Sequence, residues 1–182
     1  MSGAIARRYA KAIIAVAREE SSLEETAAEL QEVAVLAAEP EIAAALANPL
    51  LSASARRALA RTISEQLALR PMVRNLVCLL ADHRRLDQVV AIADQYRRLL
   101  DQILGQVRAT ITSAAPLAPS QQQTLVDTFT RLTGKKVLAE ARVDSQLLGG
   151  VLVNIEGKIY DGSLRTQLHG LAERIAGGRS YL

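Results

Sequence analysis

The residues of this chain whose types could do chemistry are few and scattered. His83 and His169 are the two histidines, and neither has a cysteine or carboxylate at a metal-ligand spacing such as HExxH or CxxC. Both read as surface histidines. Gly157-Lys158 has the end of a phosphate-binding loop but not the rest of it. The glycine required five positions before Gly157 is Leu152, and Ile159 replaces the Ser or Thr that would hold magnesium, so the pair reads as a hairpin turn. Asp144, Glu156 and Asp161 could be imagined as paired acids, yet each falls at a strand end or turn, where carboxylates are ordinarily solvated. Cys78 is alone and cannot form an internal disulfide. The expectation is no catalytic residue, no cofactor and no metal.

Apolar surface is the stronger signal. In a first helix, expected from about Ala4 to Glu20, Ile5, Tyr9, Ala12, Ile13 and Val16 join Ala6, Ala10, Ile14 and Ala17 in an arc of roughly 200°. Arg7, Arg8, Lys11 and Arg18 hold the remainder. In a fifth helix, opened by Pro71 at its first position and running to His83, Met72, Val73, Leu76, Val77, Leu79, Leu80 and Ala81 fill a similar arc. Arg74, Asn75, Cys78 and Asp82 lie opposite. Arcs of this width exceed what one neighbouring helix covers. Two readings stay open on the residues alone: both helices are central in a bundle, or a groove between them accepts an amphipathic helix from a partner, rimmed by Arg8, Lys11 and Arg74.

The elements that must position these two faces follow from periodicity. Leu86 to Leu104 reads as one long amphipathic helix, with Leu86, Val89, Val90, Ala93, Tyr96, Leu100 and Ile103/Leu104 inward and Asp94, Arg97, Arg98 and Asp101 outward. Gly105 stops it. Before it come a second helix, about Leu23 to Ala37, and a short third, Glu41 to Ala47, which Pro40 separates from the second and Asn48-Pro49 ends. A fourth helix, carrying Leu59, Ile63 and Leu67, is capped by Ser52 or Ser54.

After Gly105 the period changes from 3.6 to 2. Val107 to Ser113 alternates as a half-buried strand, and Ser120 to Thr133 is a helix with Leu125, Val126, Phe129 and Leu132 inward, closed by Gly134. A second strand carries Val137, Ala139, Ala141 and Val143 on one face. Val151 to Ile155 and Lys158 to Tyr160 form a hairpin about Glu156-Gly157, Asp161-Gly162 makes a further turn, and Ser163 caps a last helix with Leu164, Leu168, Leu171 and Ile175 in its stripe. The tail from Gly177 is expected to fray. The fold class is therefore α+β and mostly helical: an N-terminal six-helix bundle, residues 1–105, followed by a small C-terminal α/β domain, residues 106–182.

Composition excludes several function classes. Charges up to Gly105 cancel, so the whole formal +3 lies beyond it, too mild an asymmetry for a nucleic-acid footprint. With one Phe, four Tyr and no Trp, stacking platforms for single strands are scarce. No apolar run approaches the roughly 20 residues needed to cross a bilayer, and no signal-peptide pattern opens the chain. Because the first helix begins almost at Met1, no organelle-targeting segment is expected unless one was already removed. A soluble protein inside the cell is expected, free or held on a membrane-bound assembly.

Three segments carry a family resemblance: Ala6-Arg-Arg-Tyr-Ala-Lys-Ala12; Asn75-Leu-Val-Cys-Leu-Leu-Ala-Asp-His-Arg-Arg-Leu86; and Val143-Asp-Ser-Gln-Leu-Leu-Gly-Gly-Val-Leu-Val153 followed by Asp161-Gly-Ser-Leu-Arg165. Together they resemble the delta-subunit family of the bacterial F-type ATP synthase, whose mitochondrial relative is the oligomycin-sensitivity-conferring protein. The likeness spans essentially the whole chain, and the Asp…Gly-Gly…Asp-Gly-Ser arrangement is its most specific part. One departure is Ala118, before Pro119, where the family often has a capping Ser or Thr.

The resemblance implies a non-catalytic stator subunit. It implies that the bundle sits on the catalytic head of alpha and beta subunits and binds the N-terminal helix of an alpha subunit between its first and fifth helices. By carry-over the groove positions are Tyr9, Ala12, Ile13 and Val16 on one wall and Met72, Leu76, Leu79 and Leu80 on the other. It further implies that the C-terminal domain binds the b subunits of the peripheral stalk, with no nucleic acid and with membrane association only through the complex, at the cytoplasmic face of the bacterial cell membrane. The rival reading is a helical RNA-binding transcription-antitermination factor using Arg7, Arg8, Lys11 and Arg18; the neutral bundle and scarce aromatics count against it.

Overall fold

Periodicity 3.6 before Gly105 and 2 after it becomes two compact units, divided between Ile103 and Leu104. The computed structural model describes residues 2–48 and 50–177. Expectations for Pro49, for the side chain of Ile175 and for the tail beyond Gly177 fall outside them.

The first unit holds α1 (Ser2–Glu19), α2 (Leu23–Ala38), α3 (Pro40–Ala47), α4 (Ala53–Gln66), α5 (Pro71–Asp82) and α6 (Val89–Ile103). Local chemistry sets their starts. Ser52, not Ser54, caps α4, its Oγ accepting from the Ala55 N–H at 3.2 Å. Pro71 opens α5 and Pro40 opens α3, so Pro40 is the first residue of the third helix where a separator was expected. α1 and α2 pack on α6, and α4 packs on α5. Leu30, Val33, Val73, Val77, Leu80, Val89, Ile92 and Tyr96 are each at most 1% exposed. Burying a Leu or Val in this way contributes about 1.5–3 kcal/mol. The Tyr96 hydroxyl donates to the Leu23 carbonyl at 3.0 Å, and burial pushes its pKa up to about 12.

The sixth helix is shorter than its sequence pattern. Leu86–Gln88 forms a single 3-10 turn, and α6 starts only at Val89. Arg84 has φ 55, a left-handed break that the chain must recover from before a regular helix begins. Asp101, expected outward, is 8% exposed, whereas Val90 and Ile103, expected inward, are 37% and 48% exposed.

The second unit holds β1 (Gln106–Ser113), α7 (Pro119–Thr133), β2 (Lys136–Val143), β3 (Gly150–Ile155), β4 (Lys158–Ser163) and α8 (Leu164–Gly177). Strand order is β2-β1-β3-β4; β1 runs parallel to β2 through the α7 crossover and antiparallel to β3. Val107, Ala109 and Ile111 align with Val137, Ala139 and Ala141 on one face; Phe129 of α7 joins the cluster of the first five, while Ala141 is exposed. The Phe129 ring meets Tyr160 edge-on at 5.1 Å. Ala118 starts α7 without a side-chain acceptor, but its N–H donates to Gln121 Oε1 at 3.0 Å, half of a capping box.

The Gly-Gly…Asp-Gly-Ser signature is a structural joint. Gly150 has φ +81, and a Cβ there would stand 2.3 Å from the Gly162 carbonyl oxygen. A Cβ at Gly149 would stand 2.5 Å from Cδ1 of Leu164, whose N–H donates to the Gly149 carbonyl at 2.9 Å. Asp161-Gly162 does not turn: both residues lie in β4, opposite Leu152 and Val151. A Gly lets the two strands approach, and sheet pairing overrides the local turn preference. The Asp161 carboxylate accepts from the Ser163 N–H and the Thr166 hydroxyl, each at 2.8 Å, and these bonds hold its pKa below the ordinary range. Ser163 Oγ in turn accepts from the Thr166 N–H at 3.3 Å, capping α8.

The stripe of α8 is not buried. Leu164, Leu168 and Leu171 are 45%, 59% and 53% exposed, and the inward positions Leu132 and Val143 are 61% and 56% exposed. A stripe of correct period is buried only where the fold supplies a surface for it.

Candidate functional site

The wide apolar arcs of α1 and α5 each divide into two faces. On α1, Ala6, Ala10, Ile14 and Ala17 point into the core at no more than 9% exposure, while Val16 is 42% exposed and Ala12 is exposed. On α5, Val73, Val77, Leu80 and Ala81 are fully buried, while Leu79 is 45% exposed. The outer faces line an open groove of about 500 Å³, built from Tyr9, Ala12, Ile13 and Val16 on α1 and Met72, Leu76 and Leu79 on α5.

Leu80, the remaining predicted position, does not line the groove. At 100° per residue Met72, Leu76 and Leu79 fall within about 60° of arc, and the next residue turns a further 100° toward Val73 and Val77. Leu80 is a core residue at 0% exposure. Ile13 and Leu76, at 6% and 7%, form the floor and belong to both groove and core.

The ends of the groove are polar. Arg8 on α1, Glu20 just past its end, and Pro71 and Asn75 on α5 complete its lining. Asn75 was expected opposite; it precedes Leu76 by one residue and falls just past the edge of the stripe. Of the other predicted rim residues, Lys11 lines an adjoining concavity, and Arg74, two residues from Met72, turns away. Glu20 carried no sequence signal beyond its place one turn after Val16.

Both walls are pinned. Arg70 at the start of α5 pairs with Glu29 of α2, donates from its backbone N–H to Glu29 Oε2 at 3.3 Å, and reaches Thr26 Oγ1 at 3.3 Å. At the far end of α5, Arg57 Nε meets Asp82 Oδ1 at 2.5 Å, and Arg56 Nε donates to the Ala81 carbonyl at 3.1 Å. The Asp82 hydrogen bond, then its charge, raise the Arg57 pKa. Arg85 Nη1 donates to the Tyr9 hydroxyl at 3.3 Å, which places the end of α5 beside the start of α1. An apolar channel with fixed walls can bind an amphipathic helix without reorganising.

Among the described residues no reactive constellation competes with it. His83 ends α5 in solvent, and His169 faces Glu173 at 3.4 Å with both side chains exposed. Glu156-Gly157 is a two-residue turn with φ 51 and 89, and Lys158 lies over the Tyr160 ring at 5.1 Å. Among the described residues no group of three or more His, Cys, Asp and Glu could hold a metal ion, and no helix is long and apolar enough to cross a membrane. A second concavity of about 310 Å³, near Leu51 and Leu86, contains Arg56, whose guanidinium already donates to the Leu51 and Ala81 carbonyls.

Fold and groove define a class of protein: a six-helix bundle with an open apolar channel between α1 and α5, in a chain that also carries a small α/β unit. Comparison with known proteins makes that class particular. The family described as ATP synthase delta (OSCP) subunit matches residues 5–175. The chain is 39% identical over 176 residues to the ATP synthase subunit delta of Anaeromyxobacter dehalogenans (strain 2CP-1 / ATCC BAA-258), covering 96% of this chain and 98% of that one. It is 38% identical over 168 residues to the ATP synthase subunit delta of Geotalea uraniireducens (strain Rf4), covering 92% and 93%. A chain of the Toxoplasma gondii mitochondrial ATP synthase hexamer shares the fold, with TM-score 0.68 at 19% identity over 94% of this chain and 97% of that one. This chain belongs to the ATP synthase delta (OSCP) subunit family. The RNA-binding alternative finds no support in these relatives.

Proposed function

We propose that the chain is a non-catalytic stator subunit of a proton-translocating F-type ATP synthase. Its α1/α5 groove accepts the N-terminal helix of an alpha subunit on the catalytic head of alpha and beta subunits, and residues 106–182 grip the b subunits of the peripheral stalk. The observation that carries this reading is the open apolar groove with pinned walls, set against a continuous buried core. Family membership and the exposed leucines of α8 support the second attachment. The protein works at the cytoplasmic face of a bacterial membrane and meets that membrane only through the complex.

The physical demand is grip, not reaction. Torque from a turning central stalk would spin the catalytic head unless an outer post held it, and proton flow would then make no ATP. Slow dissociation follows from burying an apolar helix face in a preformed channel and from holding two partners at once. Three or four anchors at about 1.5–3 kcal/mol each support tight binding after association costs are subtracted. Calorimetric titration of the full chain with a synthetic alpha N-terminal helix tests this. One-to-one binding with a negative heat-capacity change is expected; absence of binding at micromolar concentrations overturns the groove assignment.

A further inference from the structure

We propose that the bundle holds a second binding site, a cavity between the α3–α4 connection, α4 and the turn after α5 that takes a small carboxylate with an apolar tail. Its volume is about 310 Å³, at the low end of the roughly 300–1,000 Å³ of small-molecule sites. Leu46, Leu51, Leu59 and Leu86 supply the apolar lining, and Asn48, Arg56, Arg84 and Asp87 the polar part. None of these residues lines the α1/α5 groove, so the site stands whether or not that groove takes a helix.

Arg56 decides the sign of the ligand's charge. Its side chain is half-buried, its Nε donates to the Ala81 carbonyl at 3.1 Å and its Nη1 to the Leu51 carbonyl, so the guanidinium is held between the last turn of α5 and the entry to α4. A guanidinium has five N–H donors, and among the described residues these two carbonyls are its only acceptors. The ion pairs among the described residues involve Arg57, Arg70, Arg142 and His169, not Arg56 or Arg84. A half-buried cation without a carboxylate beside it is unfavourable, and an anion that pairs with it with good geometry relieves this. Asn48 favours the same ligand. Its Oδ1 accepts the Leu50 N–H at 2.9 Å, which leaves the donating amide group for the cavity's occupant. Arg56 and Arg84 against the single carboxylate of Asp87 leave one net positive charge in the lining, which matches a monoanion better than a dianionic phosphate. The four leucines then require an apolar chain on that anion.

The test titrates the full chain, with leucine methyl groups labelled for NMR, with octanoate, with octanamide, which lacks the charge, and with acetate, which lacks the tail. Octanoate should bind with a Kd of about 0.1–1 mM and shift the methyl signals of Leu46, Leu51, Leu59 and Leu86, leaving those of Leu76 and Leu79 in place. Octanamide and acetate should each bind at least about tenfold more weakly. Arg56→Gln should weaken octanoate about tenfold. Because Arg56 also ties two backbone segments, Arg84→Asn serves as a second variant. Arg84 is exposed at φ 55, a conformation that Asn tolerates, so circular dichroism should stay native while octanoate binds about threefold more weakly. Shifts confined to the groove leucines, equal binding of octanamide, full affinity in Arg84→Asn, or no binding at about 10 mM octanoate overturns the site. Tighter binding of acetyl-Leu-Leu than of octanoate assigns the cavity to a protein C-terminus and overturns the small acid.

Discussion

The helical unit and the sheet unit dispose of their apolar residues in opposite ways. In the bundle, most of the large apolar side chains enter one continuous core, and of those left exposed Val16 and Leu79 stand together along one groove, while Val35, Leu50, Val90 and Ile103 are not among the residues that line it. In the sheet unit the core is small, Val107, Ile111, Phe129, Val137, Val153 and Ile155 with a few neighbours, while Leu132, Val143, Leu148, Ile159, Leu164, Leu168 and Leu171 are all 45% exposed or more. A groove is a site left open in an otherwise filled unit. On α8, by contrast, Leu164, Leu168 and Leu171 leave the described part of the apolar stripe in solvent, with no bounding wall opposite.

The largest expected effect separates core from groove within one helix. Leu80→Ala should cost about 2–5 kcal/mol in bundle stability, since it opens a cavity at a fully buried position. Leu79→Ala, one residue on the groove side, should cost less than about 1 kcal/mol. Thermal denaturation of both variants reads the difference, and similar losses would mean that the groove face is core.

In the sheet unit the corresponding weak point is the joint, not the core. Gly150→Ala places a methyl group against the Gly162 backbone at a left-handed φ, and about 2–4 kcal/mol should be lost. Gly134→Ala has the same backbone restriction but open space around it, so about 1 kcal/mol is expected. Urea unfolding followed by hydrogen exchange in β3 and β4 would distinguish them.

The two units should also respond to opposite ends of the pH scale. The Tyr96 phenol is raised, so its contribution to the bundle is fully present below its ordinary pKa of 10.0 and is lost as pH rises toward about 12. Asp161 is lowered, so its contribution to the sheet unit is present above its ordinary 3.8 and is lost as pH falls through the lower folded value. Tyr96→Phe should flatten the alkaline limb of the stability profile and cost about 1 kcal/mol at neutral pH through the lost bond to Leu23. An unchanged alkaline limb would contradict the assignment.

The smallest stability effect should fall on the open face. Leu168→Gln should change stability by less than about 0.5 kcal/mol while weakening capture, in a binding assay, of a fragment from the C-terminal end of a stalk b chain. A large loss of stability would show that α8 packs inside its own unit.

Much of the fold was legible because its signals are local. Pro71, Ser52, Gly134 and the Glu156-Gly157 turn act within a few residues, so they mark the same boundaries in the sequence and in the fold. The failures share a different cause. Leu86–Gln88 keeps the helical spacing of apolar residues, and nothing in that spacing records the positive φ at Arg84. Asp161-Gly162 has the composition of a turn, but its partner strand lies across Gly150. Leu80 sits within the apolar arc, and only the position of the remaining helices decides which part of that arc faces inward.

The sequence by itself determined the change from helical to alternating periodicity after Gly105, most helix and strand positions, and the two arcs too wide for one neighbour. Periodicity, caps and glycines are enough for that, because each acts through the backbone within a turn or two. Tertiary structure alone decided how the arcs divide, leaving Leu79 in solvent, Leu76 on the groove floor and Leu80 in the core. It also decided that the α8 stripe stays uncovered. Burial is a property of what stands opposite a side chain, and that surface is assembled from residues distant in the chain.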